Sequence, residues 1–125
     1  MKRRITMAMD IYHAKEALHK IENVFKQHFK HIHTIEEKEV NSLRATFIVI
    51  SYDIKFYIAY EIGSYYGPNT GEWSIYIDTS NYIGEWIKNS LYGHSNTLEK
   101  ALAEAMQNYS NYLGNICSLY NEYFN

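Results

Sequence analysis

Apolar residues recur along the chain with two different periods. From the N-terminal side, Ile11, Ala14, Leu18, Ile21, Phe25 and Ile32 fall three or four residues apart, with His28 in the remaining slot. That spacing lines one face of an amphipathic helix. Asp10 is placed to cap its start, and Glu16 with Lys20 and Glu22 with Lys26 stand i,i+4 apart in the favoured orientation. The helix is expected to fray between His31 and Thr34. From Leu43 the period shortens to two, and β-branched and aromatic residues dominate. Leu43 to Ile50 reads as one strand. In Ile54 to Ile62, Phe56, Ile58, Tyr60 and Ile62 alternate with Lys55, Tyr57, Ala59 and Glu61, and in Glu72 to Asp78, Trp73, Ile75 and Ile77 alternate with Ser74, Tyr76 and Asp78. Alternation sends Phe47, Val49, Phe56, Ile58, Tyr60, Trp73, Ile75 and Ile77 to the core.

The connections follow from what is left. Ile35 to Ser42 carries Glu36, Glu37 and Glu39 without either period, so a connecting loop is expected there. Ser51, Tyr52 and Asp53 form the tight turn between the first two strands, and Gly63 to Gly71, reading GSYYGPNTG, is the clearest loop. Asn81 to Tyr92 is ambiguous: Tyr82, Ile83, Trp86 and Ile87 fit a short helix, while Gly84 and Asn89 weaken either assignment. An extra short element is left open there. Asn96, three residues before Glu99, approximates a capping box. Leu98, Leu102, Ala105, Tyr109, Tyr112, Ile116 and Tyr120 then continue a second amphipathic helix, with a weak or bent point expected at Gly114, because glycine costs about 1 kcal/mol relative to alanine inside a helix. The pattern predicts an α+β fold: a three-stranded antiparallel sheet with an N-terminal and a C-terminal helix packed on one face, α-β-β-β-α, over residues 1–125 as a single domain.

Composition narrows this picture without redirecting it. A chain of 125 residues buries roughly two-thirds of the surface its unfolded form exposes, enough for one complete core. The formal net charge of −2 gives no electrostatic reason to expect nucleic acid or an anionic membrane as the main partner. The one cysteine, Cys117, cannot form an internal disulfide; it falls in the apolar pattern of the last helix and is expected to be a small core residue in a reducing compartment. The apolar run after Lys2, Arg3 and Arg4 is cut by Thr6 and Asp10, too short for a signal peptide, and no stretch approaches the roughly 18 apolar residues of a membrane span. A cytoplasmic location is expected, with no membrane partner.

Thirteen tyrosines are the compositional outlier. Tyr60, Tyr109 and Tyr112 are expected in the core with their hydroxyls at its rim. Tyr57 and Tyr76 alternate onto the opposite face, and Tyr65 and Tyr66 sit in the glycine-rich loop. These four, with Lys55 and Glu61 as orienting charges, are the candidate protein-binding residues, because tyrosine offers large contact area at modest entropy cost. Among the histidines, His28, His31 and His33 are the nearest approach to a metal site, but no cysteine or carboxylate completes a ligand pattern, so neither metal nor cofactor is expected. Asp53, Asp78, Glu72 and His94 are the polar residues near turns that could converge, and nothing in their spacing requires it. The expectation is no enzyme.

The α-β-β-β-α order, with Gly67-Pro68 in an inter-strand loop, resembles the double-stranded-RNA-binding domain over most of the chain. The resemblance implies RNA binding, here through Lys15, Lys20, Lys26 and Lys30 of the first helix. The sequence departs from that family where Asn69 and Thr70 follow Gly-Pro instead of a histidine, and where the last helix opens Thr97-Leu98-Glu99-Lys100, with Glu104 beyond, instead of on clustered lysines. Carboxylates there repel a phosphate backbone. RNA or DNA binding is therefore the alternative, and a homodimer through the open sheet face a third class. The leading expectation is a non-catalytic protein-binding module of the kind found among small phage or mobile-element inhibitors and immunity proteins, which block a nuclease, toxin or other host enzyme sterically.

Overall fold

Among the described residues, seven elements carry the fold: α1 (Ile11–His28), β1 (Thr34–Val40), β2 (Arg44–Ser51), β3 (Ile54–Ile62), β4 (Gly71–Thr79), β5 (Tyr92–Ser95) and α2 (Leu98–Phe124). The computed structural model describes residues 11–32, 34–41, 43–52, 54–62, 71–79 and 91–124. Asp10, Asp53, and residues 63–70 and 80–90, with the expected glycine-rich loop and the extra short element left open there, lie outside these. The strands form one antiparallel meander in the order β1-β2-β3-β4-β5. The α+β class and the alternation of β2, β3 and β4 agree with the sequence pattern, but the sheet has five strands where three were expected.

Both additional strands have physical reasons for escaping a periodicity reading. β1 is the segment expected to be a loop. Only Ile35 packs against the core, the other six residues being exposed, and the register slips between Glu37 and Glu39. A bulge breaks the period of two, and an edge strand with one solvated side accommodates charge. Asn41 then turns the chain into β2, its Oδ1 accepting from the backbone of Leu43 (2.9 Å) and Arg44 (3.0 Å). At four residues, β5 is too short to display a period.

The core lies on the face that carries the helices. Phe47, Val49, Phe56, Ile58, Trp73, Ile75 and Ile77 are buried, and Tyr60 packs partly buried against them, as alternation requires. α1 contributes Ala14, Ala17, Ile21, Val24 and Phe25. It stops at His28, which is exposed, and Phe29 takes the inward position instead. Phe25, Phe29 and Phe56 form an aromatic trio with centroids 5.1–5.4 Å apart. Past the helix, the Ser51 hydroxyl donates to the His31 carbonyl, and the His31 ring lies 5.0 Å from that of Tyr52. Tyr52 holds the left-handed φ of 58° in a two-residue turn, since Ser51 pairs directly with Ile54.

α2 begins one residue later than the capping-box reading placed it. Thr97, not Asn96, is the cap: its Oγ1 accepts from the Lys100 amide (3.2 Å) and its carbonyl from the Ala101 amide (3.1 Å). Leu98, Ala101, Leu102 and Ala105 are buried, and the helix meets β5 backbone to backbone at Gly93. A Cβ on Gly93 would overlap the Ala101 carbonyl and stand 2.7 Å from the Ala105 nitrogen. The same contact covers the sheet edge. The His94 amide donates to Glu104 Oε1 (2.8 Å) and the Tyr92 carbonyl accepts from Asn108 Nδ2 (2.7 Å), so two outward backbone groups of β5 have helix side chains as partners.

Beyond Tyr112 the expectations for α2 require correction. The helix runs unbroken through Gly114 to Phe124, while Cys117, expected in the core, is exposed, as are Ile116 and Tyr120 of the apolar series. Helical spacing continues past the buried part of the helix, into side chains that are exposed. Two glycine substitutions separate the two halves. Gly93→Ala should lower the unfolding free energy by about 3 kcal/mol through backbone overlap. Gly114→Ala, where nothing lies within 4 Å, should raise it by about 1 kcal/mol through helix propensity. Urea midpoints at constant m-value measure both.

Candidate functional site

The sheet face turned away from the helices is built by register. Across the strands, Glu36 stands opposite Ile48, Ile48 opposite Tyr57, Tyr57 opposite Tyr76, and Tyr76 opposite Tyr92. Five strands thus hold three tyrosines abreast. The Tyr76 and Tyr92 rings are 4.6 Å apart at 42°, and Tyr92 stacks on His94 at 6.3 Å and 11°. All three tyrosines are half-buried, each shielding its neighbours while presenting an edge to solvent.

Charge flanks this row at both ends. Lys55, exposed, is directly opposite Asp78 on one side. On the other, Glu61 lies between Arg44 and Glu72, with Arg44 Nε 3.9 Å from Glu61 Oε1. Glu72 is buried, and its Oε1 lies 2.6 Å from His94 Nε2. Ser74, the cross-strand partner of His94, accepts a hydrogen bond from the Tyr92 hydroxyl at 3.2 Å.

Of the six residues singled out by sequence, Tyr57, Tyr76, Lys55 and Glu61 therefore share this face, while Tyr65 and Tyr66 lie outside the described residues. Reading the sequence missed Tyr92, His94 and Arg44 as members. Tyr92 and His94 were hidden because β5, at four residues, was not recognised as a strand.

Two polar groups flagged by sequence do converge, Glu72 and His94. Their contact ties β5 to β4. His94 Nε2 lies against Glu72 Oε1, and the Ser74 hydroxyl beside it accepts from the Tyr92 hydroxyl. Asp78 sits at the far end of β4. No group of three or more His, Cys, Asp or Glu among the described residues could hold a metal ion, and no helix among them is long and apolar enough to cross a membrane.

Depressions lie on the helix side of the described residues. An apolar groove of about 420 Å³ lies between α1 and α2, lined by Val24, His28, Phe29, Leu102 and Met106. A shallower one, about 260 Å³, is formed by His13, Glu16, Lys20, Tyr60 and Trp73. Burial, reinforced by the nearby Glu16 carboxylate, pushes the Tyr60 phenol above its usual 10.0. The hydroxyl there stays neutral and is no base. Compared with protein families, curated proteins and solved structures, the chain matches none.

The Tyr60 environment has a consequence for alkaline stability. The unfolded chain ionises this phenol near 10.0 while the folded chain resists. Its contribution is complete below pH 10 and is lost as pH rises toward the elevated folded value. Wild-type protein should lose stability relative to Tyr60→Phe as pH rises above about 10 and not between pH 7 and 9, as read from urea midpoints.

Proposed function

We propose that this chain is a non-catalytic protein-binding module that docks through the helix-free face of its sheet. The observation that carries the reading is the in-register row Tyr57, Tyr76 and Tyr92, set on three adjacent strands. Tyrosine is enriched in binding hot spots. Here the rings are pre-positioned by the strands beneath them, so little rotamer freedom remains to be lost on association. Lys55 with Asp78 at one end, and Arg44 with Glu61 at the other, supply charges of both signs that select the orientation of a partner more than they add affinity. The mode of action is steric: the sheet covers a working surface on its partner, in the manner of small phage or mobile-element inhibitors and immunity proteins that occlude a nuclease or other enzyme.

Nucleic-acid binding through α1 has weaker support. Lys20 is already within 3.5 Å of Glu99, and five strands depart from the three-stranded order of the double-stranded-RNA-binding domain.

The double variant Tyr57→Ala, Tyr76→Ala tests the docking face. At about 2 kcal/mol for each hot-spot truncation, the partner recovered by affinity capture and quantified by mass spectrometry should fall at least tenfold. Unchanged recovery by a variant with wild-type circular dichroism would contradict the assignment.

A further inference from the structure

The second half of α2 is built like a helix inside a core, yet its large apolar side chains are exposed. Leu98, Leu102, Ala105, Tyr109, Tyr112, Ile116, Leu119 and Tyr123 follow one another at alternating spacings of four and three. This is an unbroken heptad seam. Its first three residues are buried against the sheet, and Tyr109 and Tyr112 are half-buried. From there the seam continues into solvent: Ile116 is 46% exposed, Leu119 51% and Tyr123 74%, flanked by Leu113 at 45% and Tyr120 at 58%. Leu113 and Tyr120 lie one and two heptads beyond Met106, the residue that faces α1 across the apolar groove. They therefore extend the side of α2 that α1 covers up to Phe29 and no farther. A stripe this wide is that of a helix meant to be enclosed. The reverse side is different. Gly114 has open space around it, and Gln107 spends its side-chain amide on Asn111 at 3.0 Å.

We propose that this overhang pairs with the same segment of a second copy of the chain, the two helices running antiparallel. Three observations select that occupant. First, no residue from Ala105 to Asn121 is charged, so self-pairing brings no like charges together, and the segment offers nothing to steer a charged partner. Second, the area suffices. At about 200 Å² for each large side chain, the five exposed residues offer roughly 550 Å² per copy, and a pair removes about 1,100 Å² from water. With Tyr109 and Tyr112 included, the interface reaches the roughly 1,200 Å² at which stable interfaces begin. Third, geometry sets the polarity. On its first three turns the seam is occupied by the chain's own sheet, so a parallel partner would bring its sheet into the same space. An antiparallel partner overlaps only the overhang and carries its sheet beyond the opposite end, and the helix dipoles then oppose favourably. This interface is separate from the tyrosine face proposed above, and each can fail without the other.

Sedimentation equilibrium on the full chain from 1 to 200 µM, with Ile116→Asp and Leu119→Asp as seam variants and Ser118→Asp on the reverse side, decides the matter. The wild type and Ser118→Asp should be dimers at the upper concentration, and each seam variant should weaken dimerisation at least 30-fold. Circular dichroism and the urea midpoint verify that the body stays folded. A wild type that remains monomeric throughout, or seam variants that dimerise as tightly, would overturn the proposal. Polarity is read from one spin label per chain at Glu122→Cys in a Cys117→Ser background: an antiparallel pair separates the labels by about 20 Å along the helix axes, some fourteen residues at 1.5 Å each. Labels side by side would refute the antiparallel arrangement.

Discussion

The contact between Gly93 and the Ala101–Ala105 turn of α2 determines most of what the molecule presents to its surroundings. With no Cβ at Gly93, helix and strand meet at backbone distance, and two small residues on the helix complete the fit. Glu104 and Asn108 take up two of the backbone groups that an edge strand leaves unpaired. One close approach thus anchors the helix, covers one edge of the sheet and sets the helix direction. Because α2 is 27 residues long, about 40 Å at 1.5 Å per residue, that direction carries its second half past the sheet.

The two edges of the sheet are managed by different physics. β5 is covered by a helix. β1 is left open but is acidic, bulged at Lys38 and almost wholly exposed, features that discourage another strand from pairing with it. With both edges blunted and one face filled by helices, the remaining face is the broad ordered surface of the sheet. Its tyrosines share that surface because the pleat sends every second residue the same way and the register aligns three strands.

How much of this was legible in the sequence depended on whether the local pattern matched the environment. In β2, β3 and β4 one face is buried and the other is not, so alternation named the core residues correctly and put Tyr57 and Tyr76 together on the other face. β1 was misread because its bulge disrupts the period and its charges stay in water. β5 was missed because four residues carry no period. The capping residue was displaced from Asn96 to Thr97 because both can cap a helix and only the backbone geometry distinguishes them. The failure at Cys117 is of another kind: the helix was predicted correctly, and the residue was assumed to be buried with its apolar stripe. Periodicity reports that a face wants covering, not what covers it.

The central claim is that α2 is one helix with two fates, held to β5 up to Asn108 and, beyond Tyr112, exposed in the single chain and covered on association. Amide hydrogen exchange along this helix tests it most directly. Slow exchange is expected from Ala101 to Asn108 at every concentration, with fast exchange from Leu113 to Tyr123 in dilute protein that slows as concentration rises. Uniform slow exchange to the end of the helix, independent of concentration, would contradict the account.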